Sequence, residues 1–225
     1  MQYPRLVEPS RHGRRAAYVG AATASLFATL TALVLANRTS VADHQLILSL
    51  RDFASPALTT LLLAVTFTSG RLAVPAVALF AAALYRRSGA RCAIYYVVAC
   101  VTGQLLDALL KYDVHRARPY GVSPRLTAAG GLSYPSGDAM LAVLVFGLGV
   151  FLLTWTMRSA RWRAAALTLA SAFIVVAAVA RVYLGAHWPS DVLGGVLAGT
   201  ACAAFFVNVL RRPPAVVVAL APQEL

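Results

Sequence analysis

The sequence predicts an all-α, polytopic membrane protein: a bundle of six transmembrane helices. Two observations carry that reading. Of the 225 residues, 60% are hydrophobic and only 12% are charged, where a soluble domain has about 25% charged residues. The mean hydropathy is +0.71, and the apolar residues fall in repeated runs of membrane length, roughly 20 residues each. The net charge of +12 does not point to nucleic acid, because the arginines sit in short clusters between apolar runs and not along one face. Cys92, Cys100 and Cys202 lie inside apolar runs without paired spacing. They read as small buried hydrophobes, not as a disulfide framework or a metal site.

The first expected span, Ala16–Ala36, follows a basic N-terminal segment, residues 1–15. Its apolar stretch exceeds the ~7–15 residues of a signal-peptide core. The second, Pro56–Tyr85, is interrupted by Ser69-Gly70-Arg71, which reads as a kink, a re-entrant start or a shorter span beginning late. The third, Cys92–Leu110, carries Asp107 near its end, one turn before Lys111 and spaced to pair with it. The fourth, fifth and sixth are Ala139–Met157, Ala164–Ala180 and Val192–Leu210. Together they make one membrane domain, residues 16–212, followed by a tail, residues 213–225, whose apolar part is too short to cross.

Six spans put both termini on one side. Twelve of the twenty basic residues then fall at the termini and after spans two and four, which the positive-inside rule assigns to the cytoplasm. The opposite face keeps Lys111, Arg116, Arg118 and Arg181 despite that bias. The candidate site is therefore expected at the extracytoplasmic ends of helices 3–6. The bacterial inner (plasma) membrane is the expected location, with the site facing the periplasm.

Three segments carry the candidate chemistry. The third span runs into Lys111-Tyr-Asp-Val-His-Arg116-Ala-Arg118-Pro119, three cations closed by a turn-forming proline. Arginine forks and a lysine point charge suit phosphate oxygens. A basic loop touching lipid headgroups would look the same. The fourth span begins Tyr134-Pro135-Ser136-Gly137-Asp138. Ser136 is a natural N-cap, Gly137 allows close backbone approach, and a helix N-terminus favours an anion. An ordinary helix start reads no differently. The sixth begins near Pro189, so His187 stands just outside it and Asp191 lies in its first turn. That carboxylate is expected to accept from the imidazole Nδ1–H and leave Nε2 free to attack, with Arg181 as a guanidinium clamp. A structural His–Asp pair is the bland alternative.

Taken together, Lys111 through Arg118-Pro119, Pro135-Ser136-Gly137, and Arg181 through His187 to Asp191 resemble the type-2 phosphatidic acid phosphatase superfamily, across roughly residues 45–210. The resemblance implies a membrane lipid phosphatase in which His187 becomes phosphorylated and Asp191 orients it. It implies that Lys111, Arg118, Ser136, Gly137 and Arg181 bind the phosphoryl group. Arg116 matches the family's frequent extra arginine and is expected there too. Two positions depart from the pattern. Ala180 stands where a serine is usual, a mild change. Asp138 stands where the family has the histidine that protonates the leaving oxygen.

Asp138 bears on the substrate. An alkoxide leaving group is about as basic as the hydroxide formed from water and needs a proton. A phosphate monoester, with a second pKa of about 6, needs little help. The expected substrate is thus a lipid diphosphate or phosphate, first choice a polyprenyl (undecaprenyl) diphosphate, with no cofactor or metal. The proton, where one is needed, would come from Asp138 itself or from His115. Alternatives are a phosphatidylglycerophosphate, phosphatidate or lipid A phosphatase, or a lipid phosphotransferase. A second class is a non-catalytic phospholipid-binding or transport protein that kept the pocket without turnover. Oligomeric state is not readable, nor whether Gly195-x-x-x-Gly199 packs within or between chains.

Overall fold

The computed structural model describes residues 11–122, 126 and 130–211. The expected segment boundaries within residues 1–10 and 213–225 lie outside these. The architecture is all-α: α1 (Arg11–Leu35), α2 (Ser40–Arg51), α3 (Pro56–Gly70), α4 (Ala73–Ser88), α5 (Ala90–Val114), α6 (Gly137–Ala142), α7 (Gly149–Thr154), α8 (Ala160–Tyr183) and α9 (Pro189–Leu210). A π-helical segment, Val143–Leu148, joins α6 to α7, and the three make one span, Gly137–Thr154. Among the described residues, five helices are long and apolar enough to cross a membrane, and the bent pair α3 and α4 makes a sixth if it forms one span.

The expected spans are met with shifted ends. The third expected span runs one turn further, so Lys111 stands on the last turn of α5. The fifth likewise extends to carry Arg181 on its last turn. The interruption at Ser69–Arg71 is a real break: α3 and α4 meet at 55°. The segment after the first span holds a helix, α2, that hydropathy does not announce. It forms because Asp43 and Ile47, one turn apart, face inward and are buried while most of its other side chains are exposed.

Helix α9 is the hub, packed along α1, against α5 and across α6. Its glycines let α6 approach at backbone distance. A Cβ on Gly195 would collide with the Ser136 carbonyl, one on Gly199 would lie 2.9 Å from the Met140 carbonyl, and one on Gly194 would lie 2.8 Å from the Tyr134 ring. The small-residue stripe therefore packs within the chain. Leu84, Tyr96, Cys100, Met140, Leu144 and Cys202 fill the adjoining core, and the three cysteines are free and buried.

Replacing Gly195 with alanine would gain about 1 kcal/mol of helix propensity. A methyl driven into a backbone carbonyl costs roughly 1–3 kcal/mol or more, so the packing term wins. Gly195→Ala is expected to lower the unfolding midpoint in detergent, whereas Leu193→Ala, on the exposed face, should change it far less.

Candidate active site

The ends of α5, α6, α8 and α9 converge at one end of the bundle. Helix α9 starts at Pro189, whose missing N–H costs nothing at a first helical position. Asp191 Oδ2 reaches back to accept the Trp188 N–H at 2.8 Å, the reciprocal half of a capping box. The same oxygen accepts a short hydrogen bond from Ser133 Oγ, and Oδ1 accepts from Arg116 Nη1 at 2.7 Å. Asp191 is completely buried, so its charge is tolerated only because these donors surround it.

His187 lies one turn earlier, also buried. Its Nδ1 is 2.9 Å from the Ser133 carbonyl oxygen and 3.6 Å from Asp191 Oδ2. The expected direct hydrogen bond to the carboxylate is thus replaced by one to a backbone carbonyl. Asp191 is saturated by better-placed donors, and it positions the ring through Ser133, which bonds both. Facing a carbonyl, Nδ1 must carry the hydrogen. Nε2, 3.2 Å from Arg118 Nη1, presents its lone pair to a guanidinium.

Arg118 is buried, and its other donors meet the carbonyls of Gly130 at 3.0 Å, Leu132 at 3.1 Å and Ala186 at 2.5 Å. It ties the segment after α5 to the loop before α6 and to His187. Arg116 departs from expectation. Its guanidinium bonds Asp191 and Asp43 at 2.7 Å each and Ser190 Oγ at 2.6 Å, and it lies 5.4 Å from the Trp188 ring. Those donors are committed to buried acceptors, so Arg116 braces the segments around Asp191 and its guanidinium is taken up within the protein.

Ser136 caps α6, its Oγ accepting from Ala139 N at 3.4 Å, and its own N–H donates to the Asp191 carbonyl at 2.9 Å. Gly137 is required for a second reason: an added Cβ would strike the Asp107 carboxylate. Asp107 pairs with Lys111 at 2.6 Å, so the lysine is held beside the N-terminus of α6. The preceding Tyr134, also buried, hydrogen-bonds Thr31 at 2.8 Å and anchors the loop to α1. Burial pushes its phenol above the ordinary range.

Asp138 is bound to Arg181, Oδ2 to Nη1 at 2.9 Å. Arg181 also reaches back to α3, donating from Nη2 to the Thr66 carbonyl at 3.3 Å and Ser69 Oγ at 3.5 Å. Its Nε is buried without a partner. Arg71, Arg118, Arg181 and Asp138 line a cavity of about 1130 Å³ whose other walls are mostly apolar side chains of α3, α4 and α5. His115 is exposed; it closes α5 in a left-handed conformation, φ 50°, with its ring 5.3 Å from Tyr112.

Residues 92–214 match the PAP2 superfamily. The chain belongs to the PAP2 superfamily. Phosphatidylglycerophosphatase B of Bacillus subtilis is 33% identical over 99 residues, 44% of this chain and 48% of that protein. An undecaprenyl-diphosphatase of Sulfolobus acidocaldarius is 31% identical over 122 residues, 51% of this chain and 52% of that one. The matched stretch thus spans about half the length of these curated relatives. Among solved structures, the transmembrane PAP2-type phosphatidylglycerolphosphate phosphatase of Bacillus subtilis superposes with a TM-score of 0.76 at 22% identity, covering 92% of this chain and all of that one, 100%. LpxE of Aquifex aeolicus gives 0.58 at 19% identity over 72% and 93%. The PAP2 membrane fold is shared, and with its apolar helices the chain is an integral membrane protein.

Sequence reasoning passed over Asp43 and Ser133. Asp43 is 2% exposed and accepts from Ser190 N at 2.9 Å, Ser190 Oγ at 2.7 Å and Arg116. The available signal was an acid between two spans in a chain with only eight acids. Asp43→Ala should strand part of a buried guanidinium and lower unfolding stability in detergent by about 3–5 kcal/mol. The exposed Asp52→Ala should stay within about 0.5 kcal/mol.

Proposed function

We infer that this PAP2 protein is an integral-membrane lipid phosphatase that hydrolyses a lipid diphosphate, with a polyprenyl diphosphate as first choice. One observation carries the reading. A buried imidazole has its Nδ1–H engaged by a carbonyl at 2.9 Å while Nε2 lies 3.2 Å from a guanidinium that lines a lipid-sized cavity. A lone pair next to a phosphate-binding fork is the arrangement nucleophilic phosphoryl transfer needs.

In the proposed step His187 Nε2 attacks the terminal phosphorus and the N–P bond forms. The bridging P–O bond breaks, and its electron pair leaves on the lipid monophosphate. Water then attacks phosphorus, the N–P bond breaks, and inorganic phosphate departs as the imidazole lone pair returns. Throughout, the Ser133 carbonyl keeps the hydrogen on Nδ1, and Asp191 holds Ser133 in place. Lys111, Arg118 and Arg181 neutralise the equatorial oxygens, and the N-terminus of α6 at Ser136 and Gly137 adds its N–H groups. With that charge supplied by the protein, the proposed route uses no metal.

Asp138 supports the choice of diphosphate over monoester. Bound to Arg181 at 2.9 Å, its carboxylate accepts hydrogen bonds and does not donate a proton. An alkoxide would leave poorly from such a site and a phosphate readily. The distribution of basic residues supports termini in the cytoplasm and a site on the extracytoplasmic face of the plasma membrane.

Purified protein should release phosphate from farnesyl or undecaprenyl diphosphate in micelles. His187→Ala should lose roughly 10³-fold or more of that rate, and equal release by both proteins would end the reading in favour of a binding protein. Arg181→Ala should lose about 10²–10³-fold. Asp138→His should raise hydrolysis of a lipid monophosphate by ~10²–10⁴-fold and leave diphosphate hydrolysis nearly unchanged. No change on either substrate refutes the leaving-group argument.

A further inference from the structure

The break at Ser69–Arg71 is a wall of the phosphate site. Thr66 and Ser69 bond Arg181. Gly70 comes so close that an added Cβ would lie 3.2 Å from Arg181 Nη2 and 3.7 Å from Asp138 Oδ1. Arg71 follows at once, exposed, with its guanidinium 5.9 Å from the Phe67 ring. Among the described residues no carboxylate pairs with it. Two residues later α4 begins, and its Ala73, Val74 and Val77 line the apolar part of the same cavity that Arg71, Arg118, Asp138 and Arg181 line. Along the chain, Arg71 therefore follows directly on the residues that meet Arg181 and Asp138 and directly precedes apolar residues that line the cavity. An arginine at the break of an apolar helix pair, without a counter-charge, marks a candidate functional site.

We propose that Arg71 binds the lipid-linked phosphate of a diphosphate substrate, the group that leaves. The inference rests on the diphosphate reading above. The terminal phosphoryl must lie at His187 Nε2 beside Arg118, and the hydrocarbon tail needs the apolar walls of α4 and α5. The lipid-linked phosphate falls between them, at the junction where Arg71 stands. When the bridging P–O bond breaks, its electron pair adds one negative charge to that phosphate, and the Arg71 guanidinium neutralises it. A cation thus does for the leaving group what the proton of a general acid does elsewhere, and Asp138 need supply none.

The test measures kcat and KM of the full-length protein in micelles with farnesyl diphosphate and farnesyl monophosphate. Arg71→Gln should lower kcat/KM for the diphosphate by roughly 30-fold, as loss of a charge-assisted contact implies, and change it less than about twofold for the monophosphate. Arg71→Lys, which keeps a point charge without the fork, should recover to within about fivefold of wild type. Unchanged unfolding midpoints would show that each variant folds. A variant equal to wild type on the diphosphate overturns the inference alone, as does an equal decline on both lipids. Wild-type protein inert towards both lipids overturns it together with the reading on which it rests.

Discussion

The His187 side of the site hangs on the buried carboxylate of Asp191. Removing such a group from water costs several kcal/mol, and the protein offsets this by bringing donors from three separate stretches of chain to it. Ser133 comes from the loop before α6, Arg116 from the segment after α5, and the Trp188 N–H from the start of α9. Arg116 then carries the demand outward to Asp43 on α2. Because each donor is used, none can shift without stranding a charge, and His187 inherits that rigidity through the Ser133 carbonyl.

The convergence also needs backbone to meet backbone. Ser136 N–H donates to the Asp191 carbonyl at 2.9 Å, a distance that α6 and α9 reach only because Gly194, Gly195 and Gly199 offer no side chain in between. Gly137 does the same for the Asp107 carboxylate, which in turn holds Lys111. Packing and site geometry are here one constraint, since a methyl group at any of these glycines would push one of the converging segments aside.

What was legible in the sequence was local. The bundle followed from run lengths, and the Lys111–Asp107 pair and the Ser136 cap from helical spacing. The first-turn place of Asp191 followed from Pro189. What was not legible depended on contacts between distant parts of the chain. Asp43 and Ser190 are 147 positions apart. A backbone carbonyl such as that of Ser133 leaves no mark in a sequence, so the spacing of His187 and Asp191 suggested a direct bond that a third residue supplies. Arg116 and Arg118 look alike in sequence. Only their partners in the fold separate the brace, bonded to two carboxylates, from the arginine that faces the imidazole.

The charges of the cavity explain why an aspartate is tolerated at position 138. Arg181 is 7% exposed, and a guanidinium so enclosed is stabilised by an anion nearby. A neutral histidine at 138 would not provide one, whereas Asp138 does, at 2.9 Å. The carboxylate thus stabilises Arg181 in the unliganded protein and subtracts one positive charge from the cavity. Arg71, on the same wall, adds one back. With Arg71, Arg118 and Arg181 against Asp138, the lining carries three positive charges and one negative, a net of +2. Without Arg71 it would carry +1, a poor match for the anionic head of the proposed lipid diphosphate substrate. The unusual acid and the unpaired arginine are therefore best understood as a linked pair, one balancing the buried clamp and the other restoring the attraction that the acid removes.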